Sequence, residues 1–461
     1  MTRGPVEVPL GRLDPRRLEP YIGAERMAAF LAAADAARDR LGGRSVVNVN
    51  STAQGGGVAE MLHTLLAYAR GAGIPTRWLV VEGDQPFFAI TKRLHNSLYG
   101  SPGDGGDLGE AERRTYEAAL AGNGGLVDAV RPGDVWFVHD PQPAGLIPAL
   151  RRAGALVVWR CHIGRDEPNN HTERGWAFLR PYIEAADAFV FSREAFAPPW
   201  LDRARLRVIP PSIDPYTPKN EPLRPERVRS LLAAAGLVAG SADGLTVRPA
   251  RVVRDGRPPG PETPLVVQIS RWDPMKDMGG VLEAFAEHVP IGALVLAGPS
   301  VEGISDDPEA AGVFADTVAR WQRLDRRTRA RIHLAQLAMD DPAENATIVN
   351  ALQRHAAVVT QKSLAEGFGL TVVEALLKER PVVASAVGGI VDQIVDGESG
   401  LLVEDPHDLA GFGAAVARVL AEPELARRLA ANGRERAVGN FLADRHLRQY
   451  AELVESLLAA A

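Results

Sequence analysis

The chain has 461 residues, 46% hydrophobic and 24% charged, the balance of a globular protein with core enough for two or three domains. A net charge of −6 argues against nucleic acid as a partner, and a single cysteine, Cys161, excludes an internal disulfide framework and a cysteine-rich metal site. No run reaches the ~20 apolar residues of a membrane span, and the opening MTRGPVEVPLGRLDPRR lacks an apolar h-region, so a cytoplasmic location is expected.

Short Val-rich runs alternate with helical patterns along most of the chain, the mark of parallel α/β layers. Strands are expected at Ser45–Asn50, Arg77–Val81, Val135–His139, Leu156–Arg160, Ala188–Phe191 and Leu206–Pro210. A second series is expected at Leu265–Ser270, Ala293–Ala297, Ile332–Gln336, Ala357–Thr360, Val382–Ser385 and Leu401–Val403. Two such series predict two doubly wound domains, whose ligands would bind beyond the carboxyl ends of the strands and so across a shared cleft. PSIDPYTPKNEPLRPE (211–226) reads as the crossing between them, and the Gly/Pro-rich 240–264 as a loop or hairpin flap. Glu422 to Ala461 reads as consecutive amphipathic helices.

The first candidate segment is NVNSTAQGGGVAEML, where a strand ends and Gly55, Gly56 and Gly57 precede a helix beginning near Val58. Three successive glycines cost entropy, which a simple turn does not require, and they allow an anion close to a helix start. The spacing is neither G-x-G-x-x-G nor a Walker motif. Next, GDQPFFAITKRLHNSLYG carries Phe87, Phe88, Lys92, His95 and Asn96, a sugar-like mixture of apolar surface and hydrogen bonders; equally, Phe88, Leu94 and Leu98 could pin a helix. Asp140 and His162 each follow an apolar strand, where Asp140 could accept a hydrogen bond from, or orient, an incoming hydroxyl and His162 could bind a sugar hydroxyl. Cys161 reads as a small buried hydrophobe.

In QISRWDPMKDMGGVLEAF, Arg271 and Lys276 lie in the loop between a strand and a helix starting around Gly279. Two cations there suit a doubly charged leaving group. AEGFGLTVVEAL then places Glu366 and Glu374 eight apart around a glycine-flexed helix start. Thr371 and Glu374 have capping-box spacing, which accounts for Glu374 but not for Glu366. A carboxylate beside a phosphate-binding helix end should face a neutral polyol such as a sugar. Gly388 and Gly389 repeat the strand–glycine–helix pattern one unit later. No His/Asp cluster has metal-ligand spacing.

Together these segments resemble the retaining glycosyltransferases of family 4, with GT-B architecture. Arg271 and Lys276 match that family's diphosphate pair, Glu366-x7-Glu374 its glutamate signature, Gly388-Gly389 its following turn, and IPPSID, ending at Asp214, its segment leading into the second domain. More narrowly, NSTAQGGGVAEML, FFAITKRLHN, HDPQPAGL, RCHI and VTQKSLAEGFGLTVVEALLK are similar to the trehalose glycosyl-transferring synthases. The stretch 240–264 departs from shorter family members.

The resemblance implies an α/β fold of two Rossmann-like domains. Residues 1–214, completed by helices 436–461, would form the acceptor side, and 215–435 would bind the nucleotide sugar. It implies glucose transfer from ADP- or UDP-glucose to free glucose, giving α,α-trehalose with retention. Glu366 would hold the transferred glucose and Glu374 the ribose, with Arg271, Lys276 and the amides near Leu370 and Thr371 on the diphosphate, and Gly367 would also meet the donor. Gly55, Gly56 and Gly57 would approach the donor. Asp140, Gln142, His162, Lys92 and Asn96 would meet the acceptor. No tightly bound cofactor and no resident metal are implied; magnesium stimulation and a homodimer stay open. The alternatives are a trehalose phosphorylase, another family 4 glucosyltransferase with a different acceptor, a sugar-nucleotide epimerase and a non-catalytic sensor.

Overall fold

A computed structural model describes residues 6–54, 56–301 and 308–460. The chain divides into two compact units, Met1–Asp214 with Phe441–Ala461, and Pro215–Asn440. The crossing at Asp214 falls where IPPSID ends. The return falls at Phe441, five residues later than the expected 436, because the helix Pro423–Asn440 continues through that point and its Leu425 and Leu429 belong to the second core.

The first unit holds a sheet whose strands lie in the order Val6–Glu7, Thr76–Val80, Val46–Asn50, Val135–His139, Leu156–Cys161, Ala188–Phe191 and Leu206–Val208. All neighbours are parallel except the first pair, where Val6 faces Val80. Every residue of Val135–His139 is buried, as expected when helices cover both faces of a parallel sheet. The C-terminal helix Ala443–Ala460 belongs to this unit: Asp444 takes a bidentate pair from Arg26 at 2.5 and 2.8 Å, and Ile213 N donates to Phe441 O at 2.9 Å. Arg445 adds bonds to the carbonyls of Pro210 and Pro211, so the first half of IPPSID is fixed to this helix.

The second sheet runs Leu401–Val403, Val382–Ser385, Val358–Gln361, Leu265–Ile269, Ala293–Pro299, Ile332–Leu337 and Arg251–Val253. Arg251–Val253 pairs antiparallel with the neighbouring strand, Val253 opposite Leu334. The Gly/Pro-rich stretch is therefore an edge strand with its flanking turns. Among the described residues no helix is long and apolar enough to cross a membrane.

Candidate active site

In the second unit, strand Leu265–Ile269 and strand Val358–Gln361 are parallel neighbours, and the loops leaving them meet. Fully buried Gln268 ties both loops: its Nε2 donates to Lys276 O at 2.7 Å, and its Oε1 accepts from Lys362 N at 2.9 Å. Leu364 N donates to Met275 O at 2.8 Å, a third tie between them. Asp273 caps the short turn Pro274–Lys276 and Asp277 the helix Met278–His288, and buried Lys362 pairs with Asp277 and donates to Pro406 O at 2.7 Å. The result is a rigid backbone under Lys276. Its ammonium donates to Glu366 Oε2 at 2.5 Å, and Ser363 Oγ reaches the same oxygen at 3.2 Å. Arg271, about half exposed, contacts Asp273 Oδ2 at 3.0 Å.

The backbone carrying Glu366 is buttressed by the double glycine. A Cβ on Gly388, whose φ is +53°, would stand 1.6 Å from Glu366 O, so only glycine fits. Gly389 N donates to Gly367 O at 3.2 Å, while buried Gln393 donates to the carbonyls of Phe368, Gly369 and Gly389. Gly369, at φ +82°, is the N-cap of helix Leu370–Leu377. Leu370 and Thr371 are thus the first helical residues, whose amides a helix leaves unsatisfied, beside the positive end of its dipole.

The capping-box expectation fails here. Thr371 lies inside the helix and its hydroxyl donates to Gln361 Oε1 at 2.8 Å, while glycine takes the cap. Glu374 is buried, with Lys219 Nζ at 3.9 Å. Beneath it, buried Lys378 donates to Asn220 Oδ1, Gln353 Oε1 and Glu374 O, and burial pushes its ammonium down to about 7.

In the first unit Asp140 and His162 do come together: His162 N donates to Asp140 Oδ1 at 2.7 Å. Asp140 adopts φ +64°, a strained left-handed conformation for a residue bearing a side chain. Burial raises its carboxyl to about 7, against the opposing pull of the His162 amide and the Arg160 guanidinium. Burial also holds His162 well below the usual histidine range. Gln142 is half-buried two residues past Asp140.

Lys92 is exposed and Asn96 half-buried on helix Gln85–Leu98; neither shares a recorded hydrogen bond with Asp140 or His162. That helix is pinned by Phe87, Leu94 and Leu98, whereas Phe88, named as the alternative pin, is exposed. Gly56 and Gly57 open helix Gly56–Gly71, two residues before the expected start at Val58, and both are exposed. Gly55 lies outside the described residues. Cys161 is buried, and burial drives its thiol well above the usual range, in keeping with a packing role. Among the described residues no group of three His, Cys, Asp or Glu could hold a metal ion.

Sequence reasoning passed over Gln268, Gln361, Ser363, Lys362 and Gln393. The available signal was polar side chains within otherwise apolar strands and turns, which must find partners when buried.

Two sheets, parallel but for one antiparallel edge strand each, with a cation–carboxylate pair at the carboxyl edge of the second, fit a GT-B glycosyltransferase. The model of the family "Trehalose synthase, N-terminal domain" matches residues 48–198, and that of "Glycosyl transferases group 1" matches 253–436. A trehalose synthase of Pyrococcus horikoshii is 35% identical over 96% of this chain and 97% of that one. A trehalose phosphorylase of Pleurotus pulmonarius is 27% identical over 84% of this chain and 54% of that one. Among solved structures, a UDP-forming trehalose-phosphate synthase of Burkholderia vietnamiensis superposes with a TM-score of 0.65 at 16% identity, covering 91% of this chain and 100% of that one. The chain belongs to the trehalose synthase family of glycosyltransferases.

Proposed function

We propose that the protein transfers glucose, with retention, from a nucleotide diphosphate glucose to free glucose, forming α,α-trehalose. The observation that carries this reading is the meeting of Lys276 and Glu366 at 2.5 Å on loops fixed by Gln268, with Arg271 on the same loop as Lys276. Arg271, Lys276 and the amides of Leu370 and Thr371 supply positive potential for a diphosphate that gains charge as it leaves. Glu366 and Gly367 face the sugar, and Glu374 the ribose. The helix-opening glycines Gly56 and Gly57, with Gly55 before them in sequence, would allow close approach to the donor. Asp140, Gln142 and His162, with Lys92 and Asn96 further out, receive the acceptor glucose.

The proposed chemistry is a front-face displacement. The bond between the anomeric carbon and the β-phosphate oxygen breaks, the acceptor's anomeric oxygen forms the new bond on the same face, and its proton passes to the departing phosphate. The protein contributes positioning and charge stabilisation. No enzyme nucleophile is required. Magnesium would act on the free nucleotide diphosphate as a stimulant, and two copies of the chain would associate.

Release of nucleotide diphosphate is measured with ADP- or UDP-glucose, with and without glucose. Glucose-dependent release matched mole for mole by trehalose supports the proposal. Phosphate-dependent cleavage of trehalose to glucose 1-phosphate, without nucleotide, would assign a phosphorylase instead. Conversion of maltose alone into trehalose would make it an isomerase.

A further inference from the structure

Three adjacent strands of the first unit carry a row of polar side chains: Asn48 within Val46–Asn50, His139 at the end of Val135–His139, and His162 just past Leu156–Cys161. Asn48 and His139 are almost completely buried. His139 Nε2 lies 2.9 Å from Asn48 Oδ1, and His139 Nδ1 lies 3.1 Å from His162 Nε2. The two imidazoles stack with an interplanar angle of 13° and centroids 5.4 Å apart.

With the Asn48 amide oxygen turned toward His139, these contacts leave one arrangement of protons; the opposite amide orientation would reverse it on both rings. Burial, reinforced by the Arg160 guanidinium, holds His139 down to about 3, so it is neutral under any working condition and carries one ring proton. The amide oxygen of Asn48 can only accept, which puts that proton on Nε2 of His139. Nδ1 of His139 is then a bare lone pair, and the 3.1 Å contact requires His162 to donate from Nε2. His162 is itself held neutral by burial, so its Nδ1 has no proton left.

We propose that Asn48 and His139 are positioning residues that fix the tautomer of His162, so that its Nδ1 meets the acceptor sugar as a hydrogen-bond acceptor. The hydroxyl read by His162 must therefore donate. Fluorine, which can accept weakly but cannot donate, would not replace it. The role toward a sugar rests on the reading given under Proposed function; the tautomer itself does not.

The test is made on full-length, ligand-free protein labelled with 15N-histidine, using two-bond 1H–15N correlation and assigning His162 by its missing signals in His162→Gln. The expected pattern is a protonated Nε2 and an unprotonated Nδ1 on both His139 and His162. The reverse pattern on His162 would overturn the proposal. The tautomer is read on the wild-type chain, His162→Gln serving only to assign the signals, and it stands or falls whether or not glucose is the acceptor.

Kinetics extend the test. His139→Leu should lower kcat/KM for the acceptor about tenfold, the scale of one hydrogen bond, with the donor KM unchanged. His139→Asn, whose amide oxygen can stand near the Nδ1 position, should restore the greater part of that loss; failure to exceed His139→Leu would count against the relay. In a deoxy and deoxyfluoro glucose series, the hydroxyl sensed by His162 should show equal losses for hydrogen and fluorine. Rescue by fluorine at that position would mean that His162 donates.

Discussion

Lys276 Nζ lies 2.5 Å from Glu366 Oε2, with both side chains largely buried, so the cation assigned to the donor's diphosphate is already paired with the carboxylate assigned to its sugar. On the proposed reaction, donor binding divides that pair: phosphate takes the ammonium, and the glucose hydroxyls take the carboxylate. Glu366→Gln would keep the shape and remove the competing charge. Affinity for the free nucleotide diphosphate should then rise about three- to tenfold by calorimetry, while kcat falls about a hundredfold or more. Weaker nucleotide binding in this variant would contradict the exchange.

Arg271 stands apart, about half exposed and held by Asp273. If it acts on charge that develops during bond breaking, Arg271→Ala should lower kcat about 10²- to 10³-fold and change the KM for glucose little. Steady-state kinetics at varied glucose check this; an equal fall in turnover and in glucose affinity would argue for ground-state binding.

Gly388 has no room for a Cβ, which would stand 1.6 Å from the carbonyl oxygen of Glu366. Gly388→Ala should destabilise the protein by about 3 kcal/mol and displace the Glu366 backbone, with activity lost at temperatures where the fold survives. Thermal unfolding and residual turnover measured together test it. An active variant of unchanged stability would show that the loop has slack.

Asp140 titrates near 7 because burial disfavours its charged form. If the carboxylate accepts a hydrogen bond from the acceptor sugar, kcat/KM for glucose should rise with pH on a limb centred near 7. That limb should be absent in Asp140→Asn. His139 and His162, held neutral by burial, add no limb there. The stability consequence has the opposite sign. Between the ordinary carboxylate range and about 7 the folded state binds the extra proton, so Asp140's contribution to stability is lost as pH rises through that window. Wild-type stability relative to Asp140→Asn should therefore decline from pH 4 to 7 in denaturant titrations.

Much of this arrangement was legible in the sequence because buried parallel strands read as continuous apolar runs. Each of the twelve strands expected from such runs is present, within a few residues of its expected ends. The missing two, Val6–Glu7 and Arg251–Val253, are short antiparallel edges of two and three residues, too brief for periodicity and set by pairing with distant strands. At the site, the spacing of Arg271, Lys276 and Glu366 pointed to residues that the fold brings together or holds on one loop. The supporting amides did not announce themselves. Gln268 gains its meaning only when two strands distant in sequence become neighbours, and the same holds for Asn48 and His139. Thr371 misled because capping-box spacing fits a helix start, while the left-handed Gly369 cap shifts that start onto Leu370.

The central claim is a retaining transfer from a nucleotide diphosphate glucose to glucose, and the most direct measurement is a 1H NMR time course with ADP-glucose plus free glucose, repeated with UDP-glucose. The account predicts the growth of one symmetric α,α-linked anomeric signal, in step with nucleotide diphosphate release. A β-linked product, or donor consumption with no disaccharide signal, would contradict it.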